Sequence, residues 1–404
     1  MKPIKIAFIA HYTGLYGANR SLLNLIDGLG EYNVACYVIS PSEGDLTLAL
    51  KKRQVPYITA PMERWVNNLK RKPISSSLRQ LKLKELIIPE YHKIRKLYNN
   101  IKIIPNLANQ LKNWEIDVIY TNSSVIPLGA LLAKFSNLPH IWHIREFCDL
   151  DYNLYFDWGN SMSKYILSQA NATICVSEAI SSHFFKYNLS NNYIIYNGVL
   201  SKAEVNRLYQ ASDENRLSQI SKCSYKFALV GLVTKNKGQE IAIRAISELF
   251  HKFGLEAKLI LAGRGREIEF LKELACELEI SDKIEFWGYI DNPYDAYLAS
   301  DAVLMCSKNE GMGRVTVEAM SACRPVIGYD NAGTSELIKH EHTGLLYKGE
   351  HEELAKAMKK LMENPEWAHQ LGLNGWSIAR EKYTIEAYAN SVYKVLTSVV
   401  YPSN

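Results

Sequence analysis

"ALVGLVTKNKGQEIAI", residues 228–243, decides the fold. An apolar run ends at Gly231, a polar turn carries Lys237 and Gly238, and an amphipathic stretch with helical spacing follows at once. That order reads as strand, turn and helix. The same rhythm recurs along the chain. In the second half, 226–231, 257–263, 283–288, 302–307, 325–330 and 343–347 are strand candidates; in the first half they are 4–10, 34–40, 117–122, 140–144, 172–177 and 193–199. Their apolar residues run continuously instead of alternating, so each strand is buried on both faces of a parallel sheet covered by helices. The expected fold class is α/β, with two doubly wound, Rossmann-like domains. Ligands of such sheets bind beyond the carboxyl ends of the strands, and two of them face to face would enclose a cleft.

At 404 residues the chain exceeds one ordinary core, and two domains fit its length. With 47% hydrophobic and 22% charged residues, it has the composition of a globular protein and not of a disordered or fibrous one. Seven scattered cysteines, none in a C-x-x-C pair, read as buried free thiols of a reducing compartment. The apolar run after Met1 is too short for a signal-peptide core, and no stretch approaches the ~18 apolar residues of a membrane span. A cytoplasmic location is expected.

The net charge of +5 is unevenly spread. Between Lys51 and Lys112, 15 Lys/Arg face 3 acids, so this insertion is strongly basic and the remainder is net negative. Within it, "LRQLKLKELIIPEYHKIRKLYNNIKIIPNL" (78–107) mixes apolar and basic residues at helical spacing. It reads either as a solvated helix face or as a surface for anionic membrane or lipid phosphate. Nothing points to nucleic acid as a partner.

The chemistry-bearing residues sit in loops after strands. Lys237 and the amides opening the next helix suit a phosphate, because a helix start carries partial positive charge. "EGMGRVTVEAM" (310–320) sets Glu310 in a loop and Glu318 about a turn into a helix beginning near Gly313 or Arg314. The amides of Gly311, Met312, Gly313 and Arg314 would point to the same place as a second anion site. Carboxylates beside an anion site fit a ligand that carries hydroxyls as well as phosphates. In the first half, Gly14 and Gly17 lie in a loop ahead of a helix and let backbone approach a ligand. "HIWHIREF" ends a strand in a polar group led by His143.

At these residues the chain resembles the family 4 retaining glycosyltransferases (group 1 type), which have the GT-B architecture of two facing Rossmann-like domains. The paired glutamates Glu310 and Glu318 carry the resemblance. "VGLVTKNKGQ", "AGRGREIEFL", "WGYIDNP", "YLASDAVLMCS", "RPVIGYDNAGTSELI" and "HTGLLY" support it in the family's order. It implies an acceptor-side domain over 1–198, containing the basic insertion 51–112. A nucleotide-sugar donor domain would cover 199–380, and a final helix in 381–404 would pack back on the first domain. It also implies roles. Gly231 and Lys237 would serve the donor diphosphate, Glu318 the ribose and Glu310 the donor sugar. Gly14 and Gly17 would close on phosphate or acceptor, His143 would lie beside the sugar, and Arg264 and Tyr289 would frame the base. Glu310, Lys237 and His143 are the expected catalytic set. Where many members carry an arginine this chain has Leu232, and Arg314 is the candidate to replace its charge.

The expected reaction moves a sugar from a nucleoside diphosphate to a hydroxyl acceptor with retention, needing no metal or other cofactor. The acceptor would be an anionic or lipid-linked glycan, as in surface polysaccharide, lipopolysaccharide or glycolipid assembly. Alternatives are a nucleotide-sugar 2-epimerase of the same fold, and a non-catalytic subunit binding nucleotide sugar or anionic lipid. "DLD" (149–151) matches a metal-binding D-x-D pattern but is too short to be specific. "AGRGREI" (262–268) begins a dinucleotide fingerprint, with Glu285 placed as its ribose acid, yet Ile268 stands where the third glycine belongs.

Overall fold

A computed structural model describes residues 2–68, 81–185, 190–219 and 225–402. Positions 69–80 of the basic insertion, and Cys223, lie outside them. The chain forms two compact units, Met1–Tyr196 with Ala389–Asn404, and Asn197–Tyr388.

Unit 1 carries β1 (Ile4–Ile9), β2 (Val34–Ser40), β3 (Tyr57–Thr59), β4 (Val66–Asn67), β5 (Val118–Thr121), β6 (His140–Ile144), β7 (Tyr155–Phe156), β8 (Ala172–Cys175) and β9 (Asn192–Ile194). Seven of these form one sheet in the order β3-β2-β1-β5-β6-β8-β9, all pairs parallel, while β4 and β7 make a separate antiparallel pair. Unit 2 carries β10 (Tyr225–Val230), β11 (Ala257–Ala262), β12 (Ile284–Gly288), β13 (Ala302–Met305), β14 (Val326–Tyr329) and β15 (Gly344–Tyr347). Its parallel sheet runs β12-β11-β10-β13-β14-β15. In both sheets the first strand lies centrally and the winding reverses beside it, between β1 and β5 and between β10 and β13. Such reversals open the crevice in which ligands of doubly wound sheets bind.

Burial explains the continuous apolar runs. All four residues of β5, β8 and β13 are buried, and so are five of the six in β1. In unit 2, Phe227 and Leu229 of β10 pack with Leu259 and Leu261 of β11 and with Ile243 and Ile246 of the helix Gln239–His251. The six described cysteines are free, but the expectation that all are buried is corrected. Cys276 is exposed on an amphipathic helix, and Cys36 is only half-buried because β3 pairs with β2 only over Val38–Ser40. Gly17 is likewise corrected: it is the first residue of the helix Gly17–Leu29 instead of a loop residue.

Two glycines of unit 2 let backbones touch. Gly263 has φ +153°, and a Cβ there would overlap the Gly231 carbonyl oxygen. Gly238 has φ +75°, and its Cβ would come within 2.6 Å of Cys306 Cβ and 2.7 Å of Cys306 O. Gly254 provides a contrast, with φ +64° but nothing within 4 Å. Gly254→Ala should therefore cost about 1–2 kcal/mol, the strain of a left-handed residue alone. Gly263→Ala should lower the urea midpoint distinctly more, and equal losses would contradict the steric argument.

Candidate active site

In unit 2, Lys237 and Glu310 meet at the winding reversal. Lys237 ends a 3-10 turn, Lys235–Lys237, in the connection after β10; Glu310 stands in the connection after β13. The lysine Nζ donates to Glu310 Oε1 in a direct ion pair. The bare Cα of Gly238, seated on Cys306 at the end of β13, brings the two connections this close. The helix Arg314–Ser321 starts after Gly313, whose φ of +77° turns the chain into it. The preceding loop is pinned, since Gly333 N donates to Glu310 O at 3.0 Å and a Cβ on Gly333 would strike the Gly311 backbone. Met312 is buried, and its sulfur accepts from Asn197 N at 3.0 Å.

Glu318 is buried a turn inside this helix. Its Oε2 accepts from Tyr297 Oη at 2.9 Å, and Arg314 Nη2 lies 3.5 Å from its Oε1. Burial and the neighbouring carboxylate hold the Tyr297 phenol well above its ordinary pKa, so it stays a donor. Tyr297 is itself braced by Arg324, whose Nε donates to the Tyr297 carbonyl at 3.0 Å and whose Nη1 donates to Ser212 Oγ at 2.7 Å. Sequence reasoning missed both residues. Tyr297 was visible only as one letter of "YLASDAVLMCS", with nothing local to link it to Glu318.

Gly231 follows β10 and Arg264 follows β11; the Arg264 guanidinium lies 5.0 Å from the Tyr289 ring centroid, a cation–π pair on an exposed edge. Leu232 is 47% exposed, and Arg314 is directed to Glu318. Glu285, the would-be dinucleotide acid, is taken up by Lys226 at 3.3 Å and Trp287 Nε1 at 3.2 Å.

In unit 1 a second cluster forms at the ends of β1, β5 and β6. His143 is fully buried, its Nδ1 2.5 Å from Tyr120 Oη and 3.1 Å from Arg145 Nη2. Arg145 Nε donates to Asn122 Oδ1 at 2.9 Å, and Asn122 Nδ2 donates to Ala18 O at 3.2 Å. Asn19, also buried, donates to the carbonyls of Tyr12 and Gly14 at 2.9 Å each and so shapes the Gly14 loop. Glu146 Oε1 accepts from Ser123 Oγ at 2.5 Å, Ser124 N at 2.8 Å and Ser124 Oγ at 2.7 Å. The serines were not anticipated, because they lie more than twenty residues from the motif they hold. Of the D-x-D acids, Asp149 pairs with His183 at 3.1 Å, and Asp151 accepts from Phe147 N at 3.0 Å.

Two sequence models match the chain: Glycosyltransferase Family 4 over 16–200 and Glycosyl transferases group 1 over 210–377. The Anabaena protein HepE, solved with UDP and also with UDP-glucose, superposes with a TM-score of 0.75 in its UDP complex. That match is 20% identical and covers 98% of this chain and all of that one. The fold is thus the GT-B architecture of two Rossmann-like domains. The chain belongs to the family 4 glycosyltransferases. An uncharacterized glycosyltransferase of Methanocaldococcus jannaschii is 24% identical over 353 residues, 78% of this chain and 88% of that protein. Alpha-monoglucosyldiacylglycerol synthase of Streptococcus pneumoniae is 26% identical over 294 residues, covering 68% of this chain and 64% of the synthase.

The unit 1 cluster carries a pH signature. Burial, with Arg145 adding to it, pushes the His143 pKa well below 6.5, and burial lowers His140 to about 3. Both therefore stay neutral when folded but take protons near pH 6.5 when unfolded, so stability present above pH 6.5 is lost as pH falls below it. Each contributes roughly 1.4 kcal/mol per pH unit. Glu146, raised by burial, acts in the opposite sense. Urea unfolding between pH 7 and 5 should show stability falling, and His140→Gln should flatten the slope by one histidine's share. An unchanged slope in the variant would refute this account.

Proposed function

We propose that the protein transfers a sugar from a nucleoside diphosphate to a hydroxyl acceptor, with retention of configuration and without a metal ion. The observation that carries this reading is the Lys237–Glu310 pair at the start of the helix holding Glu318. As a pair the two charges neutralise each other. A nucleotide sugar offers a diphosphate to the lysine and hydroxyls to the glutamate, so both groups exchange one partner for another. Glu318, oriented by Tyr297, would accept from the ribose, and Arg264 with Tyr289 would border the base.

In the reaction the bond from the anomeric carbon to the diphosphate oxygen breaks, and a bond to the acceptor oxygen forms on the same face. The acceptor proton passes to the departing diphosphate. Negative charge grows on that leaving group, where Lys237 and the helix-start amides can stabilise it without reorganising. The acceptor would be an anionic or lipid-linked glycan; the basic 51–112 segment supports this, as does the glycolipid named as the product of the pneumococcal relative.

Nucleotide release from UDP-, GDP-, dTDP- and ADP-sugars, with and without EDTA, tests the proposal. Release from one donor should be insensitive to EDTA, and Lys237→Ala should lower kcat roughly 10²-fold, about 3 kcal/mol of leaving-group stabilisation. Tyr297→Phe should raise the donor KM about tenfold with a smaller change in kcat, since it loosens a binding group. Donor release without transfer, or isomerised donor found by NMR, would replace the transferase reading with a hydrolase or an epimerase. Arg314→Ala separately tests the substitute charge: unchanged donor affinity and turnover would leave Arg314 as a partner of Glu318 alone.

A further inference from the structure

The helix Leu81–Trp114 is fixed to unit 1 along one seam. Ile104, Leu107 and Leu111 enter the core beneath it. Asn100 accepts from Glu63 N and donates to Glu63 O, both at 2.9 Å. Lys96 Nζ donates to Asp157 Oδ2 at 3.0 Å and to Val66 O at 3.1 Å. Together these contacts set the helix's rotation, and so determine which side chains face away from unit 1.

On that outward side stand Tyr91, Ile94, Tyr98 and Ile101, exposed by 62%, 59%, 61% and 48%. Their spacing of three, four and three places them in one stripe about 15 Å long. Arg95 and Lys102, both exposed, follow directly after Ile94 and Ile101 and border the stripe. The whole helix carries seven Lys/Arg against two Glu. Isolated exposed apolar residues need no explanation, but four aligned on a rotationally fixed helix do. Tyrosine is amphipathic, with an apolar ring and a polar tip, and favours the level of lipid headgroups; cations beside it meet anionic lipid at about 1 kcal/mol each. Two copies of so basic a face would repel each other. Among the described residues no helix is long and apolar enough to cross a membrane, so contact through this helix would lie in the plane of the interface.

We infer that this face of the helix seats the protein on an anionic lipid surface. Tyr91, Ile94, Tyr98 and Ile101 enter the headgroup region, and Arg95 and Lys102 meet lipid phosphates. The inference goes beyond the transfer reaction and does not depend on it.

Flotation with phosphatidylcholine vesicles, with and without 30% phosphatidylglycerol, tests it directly. The wild-type protein should float with the anionic vesicles and at least tenfold less with the neutral ones. The triple variant Tyr91→Ser, Ile94→Ser, Tyr98→Ser should lose at least tenfold in partitioning. Arg95→Glu with Lys102→Glu should lose about fivefold per position or more. All five positions are exposed, and a thermal melt verifies the fold of each variant. Wild-type protein that fails to float, or a triple variant that floats equally well, overturns the inference. Sedimentation showing a dimer that the triple variant abolishes, without vesicle binding, overturns it in favour of a contact between copies. Transfer to a water-soluble acceptor, measured in parallel, should be unchanged in the triple variant; absent transfer with intact flotation would count against the proposed reaction alone.

Discussion

The donor-side arrangement depends on a missing side chain. With any Cβ at position 238, the chain after β10 would have to shift off Cys306, and the turn that sets Lys237 opposite Glu310 would shift with it. The paired charges in turn lie at the point where the winding of the sheet reverses, between β10 and β13. Strand order, glycine and ion pair are thus three levels of one constraint. The parallel sheet creates the crevice, backbone contact narrows it, and opposite charges occupy it.

The two units treat their polar groups differently. Around Glu318, a buried carboxylate is satisfied by a tyrosine and an arginine from the same unit, and the tyrosine is braced by a further arginine. Around His143, the groups are buried more deeply, and desolvation acts on histidine and glutamate in opposite directions. Buried networks of this kind hold geometry well provided every member is bonded. Ser123 and Ser124 supply Glu146 with three donors on one oxygen, which is how a carboxylate is tolerated there.

The fold was legible because strands buried on both faces leave a signal within six or seven contiguous residues. The placement of Glu310, Glu318 and Lys237 after β10 and β13 was legible for a similar reason: each motif is confined to one connection and the helix that follows it. What escaped the sequence acts across it. Tyr297 meets Glu318 from another helix, Ser123 and Glu146 belong to different strand ends, and β4 pairs with a β7 some ninety residues away through two residues each. The exposure of Cys276 escaped for another reason, since composition alone does not say which face of a helix a cysteine occupies.

Unit 1 is built from both ends of the chain, whereas unit 2 is one uninterrupted piece, Asn197–Tyr388. The ends of that piece are stitched together, with Val199 N donating to Tyr383 O at 3.0 Å and Ile385 N to Leu200 O at 2.9 Å. Unit 2 has all its residues before Ala389–Asn404, the segment that completes unit 1, are synthesised. Assembly of unit 1 therefore waits on Ala389–Asn404, and a chain cut before Ala389 would carry all of unit 2 and only part of unit 1. The same closed seam makes unit 2 a natural cassette: its two ends already meet, so a relative's corresponding piece could be exchanged at a single junction in space.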